Sequence, residues 1–416
     1  MTERFSSEHE DALNRIAQGI DMPPSIYDMV ISKYEDLGAW LERDGSSIAQ
    51  YEPFVAPQGS FRLGTANRPL TKDDEYDIDL ICRLRNSKRE TTQADLKASV
   101  GHEVIAYAAQ RNMAHSPKDK RRCWTLKDHG DDRFHMDVLP CIPDEEGYRA
   151  FLENRGFSDL AKNENLTSEA IAITDKQDPN YDAISDEWPS SNPVGYARWF
   201  EGQMADRLIV EKTTYFNLTG QFEAVEDVPT YRVKTPLQKV IQILKRHRDT
   251  MFAKDPEHKP ISIIITTLAA KAYGNQVGLC ETLEVVLTRM DQFICERDGV
   301  DWVENPVNPT ENFADKWAEE PVKKEQFFTW LRSARREFGA YLNKVRAEDV
   351  PGVLFDRLGA DIVENALSAI KLARVTAPAV ITSPSFAERV DRSVEEVRRS
   401  TGGHKPYMRI SRELDA

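Results

Sequence analysis

The sequence predicts an α+β protein in which a small sheet backed by helices is joined to a second lobe made of helices, with a functional cleft between the two. Three observations carry that expectation. Two alternating runs, Glu75-Tyr76-Asp77-Ile78-Asp79-Leu80 and Arg133-Phe134-His135-Met136-Asp137-Val138-Leu139-Pro140, read as strands. Apolar residues at helical spacing flank these runs and dominate from about residue 193 onward. Between the two regimes, residues 158 to 192 are rich in Asn, Asp, Ser and Pro and read as a connector around the lobe boundary. Residues 1–190 are accordingly assigned to the first lobe with its long N-terminal helix, 191–375 to the helical lobe and 376–416 to a flexible tail.

Taken in order, Val30, Tyr34, Leu37 and Leu41 stand on one helical face over residues 25 to 41, with Ser25 as the expected cap. After the first strand, Val100, Val104 and Ala108 mark a second helix, and Arg122-Cys123-Trp124-Thr125-Leu126 reads as another strand. In the second lobe, Thr235-Pro236-Leu237-Gln238 is a helix start signal: Thr at the N-cap, Pro in the first turn and Gln where a capping box needs it. Leu237, Val240, Ile241 and Leu244 then form one apolar stripe, with Lys245 at its edge, where a lysine reaches a cleft or snorkels to the surface.

The chemistry concentrates in Gly59-Ser60-Phe61-Arg62-Leu63-Gly64-Thr65 and the strand that follows it. Backbone N–H groups can hold a triphosphate only where the chain comes very close to the oxygens, and glycine permits that approach while Ser60 adds a hydroxyl. Side chains alternate along a strand, so Asp77 and Asp79 share one face while Ile78 and Leu80 point to the core. Two such carboxylates can hold hard cations, and a metal pair needs a third anionic ligand from elsewhere. Asp137, the one carboxylate between Arg133 and Pro140, is the candidate. Asp73, Asp74 and Glu75 read as a polar turn, and His135 as a packed residue or one that supports the ligands without touching the metal.

Composition narrows the function classes. The five cysteines (Cys82, Cys123, Cys141, Cys280 and Cys295) include no C-x-x-C pair, so neither a zinc knuckle nor a disulfide framework is indicated, and reducing cytoplasm is the expected location. No apolar run approaches membrane-spanning length, and the N-terminus lacks the basic and apolar regions of a secretion signal. A formal charge of -14 argues against binding long double-stranded DNA through bulk electrostatics.

Gly59-Ser60, Gly64-Thr65, Asp77-Ile78-Asp79 and Asp137 together resemble the polymerase-beta superfamily of nucleotidyltransferases, specifically the bacterial cyclic GMP–AMP synthase-like group (CD-NTases) of anti-phage defence. Three later segments are similar to this group in particular: Lys234-Thr235-Pro236-Leu237-Gln238-Lys239 running on to Leu244-Lys245-Arg246, then Pro260-Ile261-Ser262-Ile263-Ile264, then Asn305-Pro306 followed by Glu311 to Trp317. The resemblance covers roughly residues 50 to 320, with one departure: Leu70-Thr71-Lys72-Asp73-Asp74 lengthens the gap between Ser60 and Asp77.

The resemblance implies a polymerase-beta-like sheet lobe and a helical, oligoadenylate synthase-like lobe. It implies two Mg²⁺ ions, replaceable by Mn²⁺, on Asp77, Asp79 and Asp137, with Gly59, Ser60, Lys245 and Ser262 holding the nucleotide; Ser262 otherwise reads as a residue capping its own helix. The expected reaction condenses ATP, GTP or other nucleoside triphosphates into a cyclic di- or trinucleotide with release of pyrophosphate, one site serving both steps and Asp137 assisting deprotonation of the attacking hydroxyl. It further implies a downstream effector that senses the product and a ubiquitin-transfer-like partner acting on the tail that ends at Ala416. The competing expectations are a transferase that modifies RNA, a protein or a small molecule on the same core, and a nucleotide-binding scaffold without activity.

Overall fold

The chain opens with two helices, α1 (Ser7–Ile20) and α2 (Pro24–Glu42). Ser6 caps α1, its hydroxyl accepting from the His9 N–H. In α2 the fixed φ of proline begins the helix at Pro24, with Pro23 at the cap position, so Ser25 lies inside the first turn and is not the cap. Val30, Leu37 and Leu41 are buried along the face that the spacing indicates. This is a computed structural model, and it describes residues 5–71, 74–128, 134–219 and 233–376, apart from 345, 347, 348 and 351. Residues 377–416 of the tail expected over 376–416, and Asp73, lie outside the described residues.

The sheet lobe follows: β1 (Phe54–Pro57), the single turn α3 (Gly59–Arg62), β2 (Tyr76–Arg83), α4 (Gln93–Gln110), β3 (Lys118–Asp119), β4 (Trp124–Asp128) and β5 (Phe134–Pro143). The strands lie in the order β1-β2-β5-β4-β3, with β2 and β5 parallel and the other neighbours antiparallel. Ile78, Leu80, Phe134, Met136 and Val138 turn inward to one core with Val30, Leu37, Val100 and Val104 from α2 and α4. The opposite face of β2 and β5 carries the polar residues of the two alternating runs.

The segment read as a connector is structured. After α5 (Glu145–Asn154), it holds α6 (Ser158–Ala161), α7 (Glu164–Thr167), β6 (Ile171–Ile173) and β7 (Ser190–Ser191). β6 pairs antiparallel with the end of β5, all three of its residues buried, and β7 pairs with β6. The sheet therefore receives strands from the region that composition marks as polar linker.

Helices then dominate: α8 (Pro193–Gln203), α9 (Ala205–Thr219), α10 (Pro236–Met251), α11 (Ser262–Ala272) and α12 (Leu279–Arg289). Two small hairpins, β8 (Cys295–Arg297) with β9 (Val300–Trp302) and β10 (Glu304–Asn305) with β11 (Asn308–Asn312), precede α13 (Lys316–Glu319), α14 (Pro321–Leu342), α15 (Gly352–Leu358) and α16 (Ala360–Thr376). α10 begins with the capping box of Thr235 and Gln238, as the sequence indicates. Its residues Leu237, Val240, Ile241 and Leu244 are fully buried in the large helical core. That core also takes Leu13, Ile16 and Ile20 from α1 and Tyr148, Leu152 and Leu166 from α5 and α7, so elements early in the chain are shared with the second lobe. Among the described residues, no helix is long and apolar enough to cross a membrane.

Candidate active site

The parallel register of β2 and β5 builds the site. It sets Asp77 opposite His135 and Asp79 opposite Asp137, so the three carboxylates singled out in the sequence share one sheet face with an imidazole. β4 lies on the other side of β5 and places Thr125 opposite Asp137. The Thr125 hydroxyl donates to Asp137 Oδ1 at 2.5 Å, which fixes the orientation of that carboxylate and leaves its second oxygen for other partners. Cys123, before β4, lies near the same group; burial first and then the charge of Asp137 push its thiol up to about 11, so it stays protonated and inert.

Asp77 is exposed, whereas Asp79 is half-buried beside the glycine turn. The Gln58 N–H donates to the Asp79 carbonyl at 2.8 Å, drawing the turn onto β2. Gly59 then sits at φ +59°, and a Cβ added to it would lie 2.3 Å from Asp79 Oδ2. Glycine is needed here twice over, for the left-handed backbone and for the room given to a carboxylate. The turn closes where the Thr65 N–H donates to the Ser60 carbonyl at 2.9 Å, with Gly64 also left-handed at φ +65°.

Crowding of negative charge is the dominant electrostatic fact. Burial, then Asp77, then Asp137 push the Asp79 carboxyl up to about 7. His135 partly relieves the crowding, its Nε2 lying 3.1 Å from Asp77 Oδ1, and this contact raises the imidazole above its ordinary value. Glu75 Oε2 lies 3.2 Å from the other ring nitrogen and accepts from Lys127 Nζ at 2.8 Å, so Glu75 belongs to the margin of the site; Asp74 shows the expected turn, accepting from the Thr71 N–H and hydroxyl. Donor atoms of Asp77, His135 and Asp137 all fall within 4.8 Å of one another. Convergent oxygens and one nitrogen, with a neighbouring carboxylate whose ionisation is opposed by like charge, are a donor set suited to divalent cations.

α10 holds the turn from the helical lobe. Gln238 Nε2 donates to the Leu63 carbonyl at 3.0 Å, Lys245 Nζ to Thr65 at 2.9 Å, Gln242 Nε2 to Ala66 at 2.7 Å, and Arg246 Nη2 to Arg68 at 2.7 Å. These donors recur at helical spacing on one face, so a single helix reads off the carbonyls of the segment that closes the glycine turn. Lys245 is buried and does not snorkel to the surface; its ammonium donates to the Thr65 carbonyl. Burial, with Arg248 nearby, brings the Lys245 amine down to about 7, and it acts electrostatically on both Asp77 and Asp79.

Ser262 stands at the start of α11, but its hydroxyl makes no capping bond and accepts from Arg248 Nη1 at 2.9 Å. It is tied to α10 through that arginine. The sequence reading gives no role at the site to Thr125, Lys127, Gln238 or Gln242. Thr125 was detectable as the polar residue of its strand that shares a face with Asp137 once the strands are paired; the two glutamines carry no such signal, because their partners are main-chain carbonyls far away in sequence.

Comparison with known proteins bears on the fold and the class of enzyme. Residues 53–140 match the family model for the cyclic GMP-AMP synthase DncV-like nucleotidyltransferase domain, which spans the glycine turn and all three carboxylates. The chain is 28% identical over 340 residues to a c-di-GMP synthase of Roseivirga ehrenbergii, covering 81% of each chain. It is 23% identical over 380 residues to the cyclic dinucleotide synthase CdnG of Bradyrhizobium diazoefficiens, covering 88% of this chain and 84% of the other. The fold matches the solved structure of that Bradyrhizobium CD-NTase in complex with GTP, with a TM-score of 0.65 and 20% identity over 87% of this chain and 99% of the other. With the likeness running through both lobes and the matched domain enclosing the carboxylate face, the chain is similar to the DncV-like nucleotidyltransferases of the CD-NTase family.

Proposed function

We propose that this nucleotidyltransferase joins purine nucleoside triphosphates, GTP first among them, into a cyclic dinucleotide or trinucleotide. The observation that carries the reading is the β2–β5 register, which sets Asp77 and Asp79 beside His135 and Asp137 on one polar face above a glycine turn. GTP takes precedence because the relatives include a c-di-GMP synthase and a CD-NTase solved with GTP.

In this reading Gly59 and Ser60 receive the triphosphate of one nucleotide, and the 2′- or 3′-hydroxyl of a second attacks its α-phosphorus. The new P–O bond forms as the bond to pyrophosphate breaks, and the hydroxyl proton passes to Asp137, whose orientation Thr125 sets. Asp77, Asp79 and Asp137 would hold divalent ions, Mg²⁺ by preference and Mn²⁺ as a substitute, which when bound neutralise the developing phosphate charge and acidify the hydroxyl. The linear product then presents its remaining triphosphate to the same residues, and a second transfer closes the ring. Lys245 acts on nucleotide binding through the Thr65 carbonyl, and Ser262 through Arg248. Service in anti-phage signalling, an effector that senses the product and a ubiquitin-transfer-like partner at the C-terminal end are supported by the family resemblance.

The test is direct. Purified protein is incubated with Mg²⁺ and radiolabelled GTP, ATP or both, the mixture is treated with phosphatase, and the resistant material is identified by mass spectrometry. A phosphatase-resistant cyclic product supports the reading. Label found only in RNA, in protein or in linear phosphatase-sensitive material overturns it.

A further inference from the structure

We propose that His135 is itself a metal ligand, completing one ion position with Asp77 and Asp137, and that this nitrogen gives the site an affinity for Mn²⁺ that oxygen ligands alone do not supply. The inference deepens the metal-dependent reading above and rests on it for the use made of the ion.

Three observations support it. First, the parallel strand register holds the imidazole and the two carboxylates on one sheet face without help from any loop. Second, His135 Nε2 lies 3.1 Å from Asp77 Oδ1, close to the spacing of about 3 Å between adjacent donors around an octahedral ion with bonds near 2.1 Å. The whole donor set spans no more than 4.8 Å, which small side-chain rotations bring to the roughly 4.2 Å across such an octahedron.

Third, the far side of the ring is anchored. Nδ1 lies 3.2 Å from Glu75 Oε2, and Glu75 is held by Lys127 at 2.8 Å. A histidine that gives its second N–H to a carboxylate is the usual arrangement of a metal-ligating imidazole, because the carboxylate fixes the tautomer and aims the free nitrogen. Here that nitrogen is Nε2, which contacts Asp77 at 3.1 Å in the metal-free protein and would exchange its proton for the ion on binding. Imidazole favours first-row transition ions over Mg²⁺, which keeps to oxygen, so the donor set selects between the two cations the reaction accepts.

The experiment uses the full chain loaded with Mn²⁺ in the absence of nucleotide. Pulsed electron paramagnetic resonance reads ¹⁴N coupling to the bound ion, and an equilibrium titration of the free Mn²⁺ signal reads affinity. The proposal expects a ¹⁴N coupling that disappears in His135→Gln, with Mn²⁺ affinity falling roughly tenfold or more. Glu75→Gln should keep the coupling while weakening affinity several-fold. Absence of bound Mn²⁺ in the unaltered chain, bound Mn²⁺ without ¹⁴N coupling, or equal affinity in His135→Gln would each overturn it. The unaltered chain decides the matter even where a variant fails a melting control. Product formation, assayed separately with Mg²⁺, keeps this outcome distinct from the fate of the proposed function.

Discussion

Gly59 and Asp79 occupy space that only their combination permits: a methyl group on the former would stand 2.3 Å from a carboxylate oxygen of the latter. The turn proposed to receive phosphate and the strand proposed to carry the metal ligands are thus fitted to each other sterically as well as through the Gln58 to Asp79 main-chain bond. Gly59→Ala should therefore act on chemistry more than on folding. The left-handed backbone costs a β-carbon roughly 1–2 kcal/mol, a modest stability loss, whereas displacement of Asp79 by about 1 Å is enough to lower kcat about a hundredfold. Steady-state kinetics beside a thermal melt would check this, and a variant with unaltered kcat would show that the site tolerates a shifted Asp79.

The double replacement Asp77→Ala with Asp79→Ala should abolish product formation without unfolding the protein. Both side chains lie on the polar face and contribute nothing to the core built by Ile78 and Leu80. Burial and like charge already oppose ionisation of Asp79, so its removal relieves repulsion and the melting temperature should hold or rise. Synthesis retained in Mg²⁺ would remove these residues from the catalytic machinery.

Much of the site was legible because strand alternation is a local property. Asp77 and Asp79 on one face, and Asp137 opposite Phe134 and Met136, follow from a period of two, and the capping box of α10 follows from four adjacent residues. What escaped was non-local. β6 is three residues long, too short for any periodicity, and owes its place to pairing with β5. α1 reads as a first-lobe helix by position, yet Leu13, Ile16 and Ile20 find their partners in the second core. Lys245 has the spacing of a stripe edge, but a main-chain carbonyl of the glycine-turn segment draws it inside. The segment after β9 shows the converse case. Asn312 accepts from the Val303 and Ala314 N–H groups and donates to the Asp301 carbonyl, so a residue quoted for its family likeness proves to be a knot of the second lobe.

Lys245→Met offers a sharp separation of stability from function. The buried amine is held down near 7, well below its unfolded value, because burial disfavours the charged form. A group whose folded pKa is depressed in this way makes the fold less stable wherever the unfolded chain would be protonated, which includes neutral pH. A methionine of similar length removes that penalty at the expense of one hydrogen bond to Thr65. The melting temperature should not fall at pH 7, while the KM for GTP should rise about tenfold as the turn loosens. A KM equal to that of the unaltered enzyme would reduce Lys245 to a packing residue.

Acid should loosen the hairpin that carries Thr125 before it exposes the core. Asp175, just after β6, takes a paired contact from Arg121 Nε and Nη2 at 2.6 and 2.7 Å and a third from Arg122 Nε at 2.8 Å, while its N–H donates to Gln93 at the start of α4. Burial alone would raise this carboxyl, but hydrogen bonds from Arg121, the Gln177 N–H and Arg122 outweigh it and bring the group to about 2. Because the folded pKa lies below the unfolded one, the stabilisation is fully present above about pH 4 and is lost as the pH falls toward 2. The amount at stake is on the order of 2 kcal/mol. Urea melts of the unaltered chain and Asp175→Asn, run from pH 6 to pH 3, should show a stability gap that narrows as the pH drops through 4. A gap that stays constant over that range would mean that the arginine pair holds the hairpin by packing and not by charge.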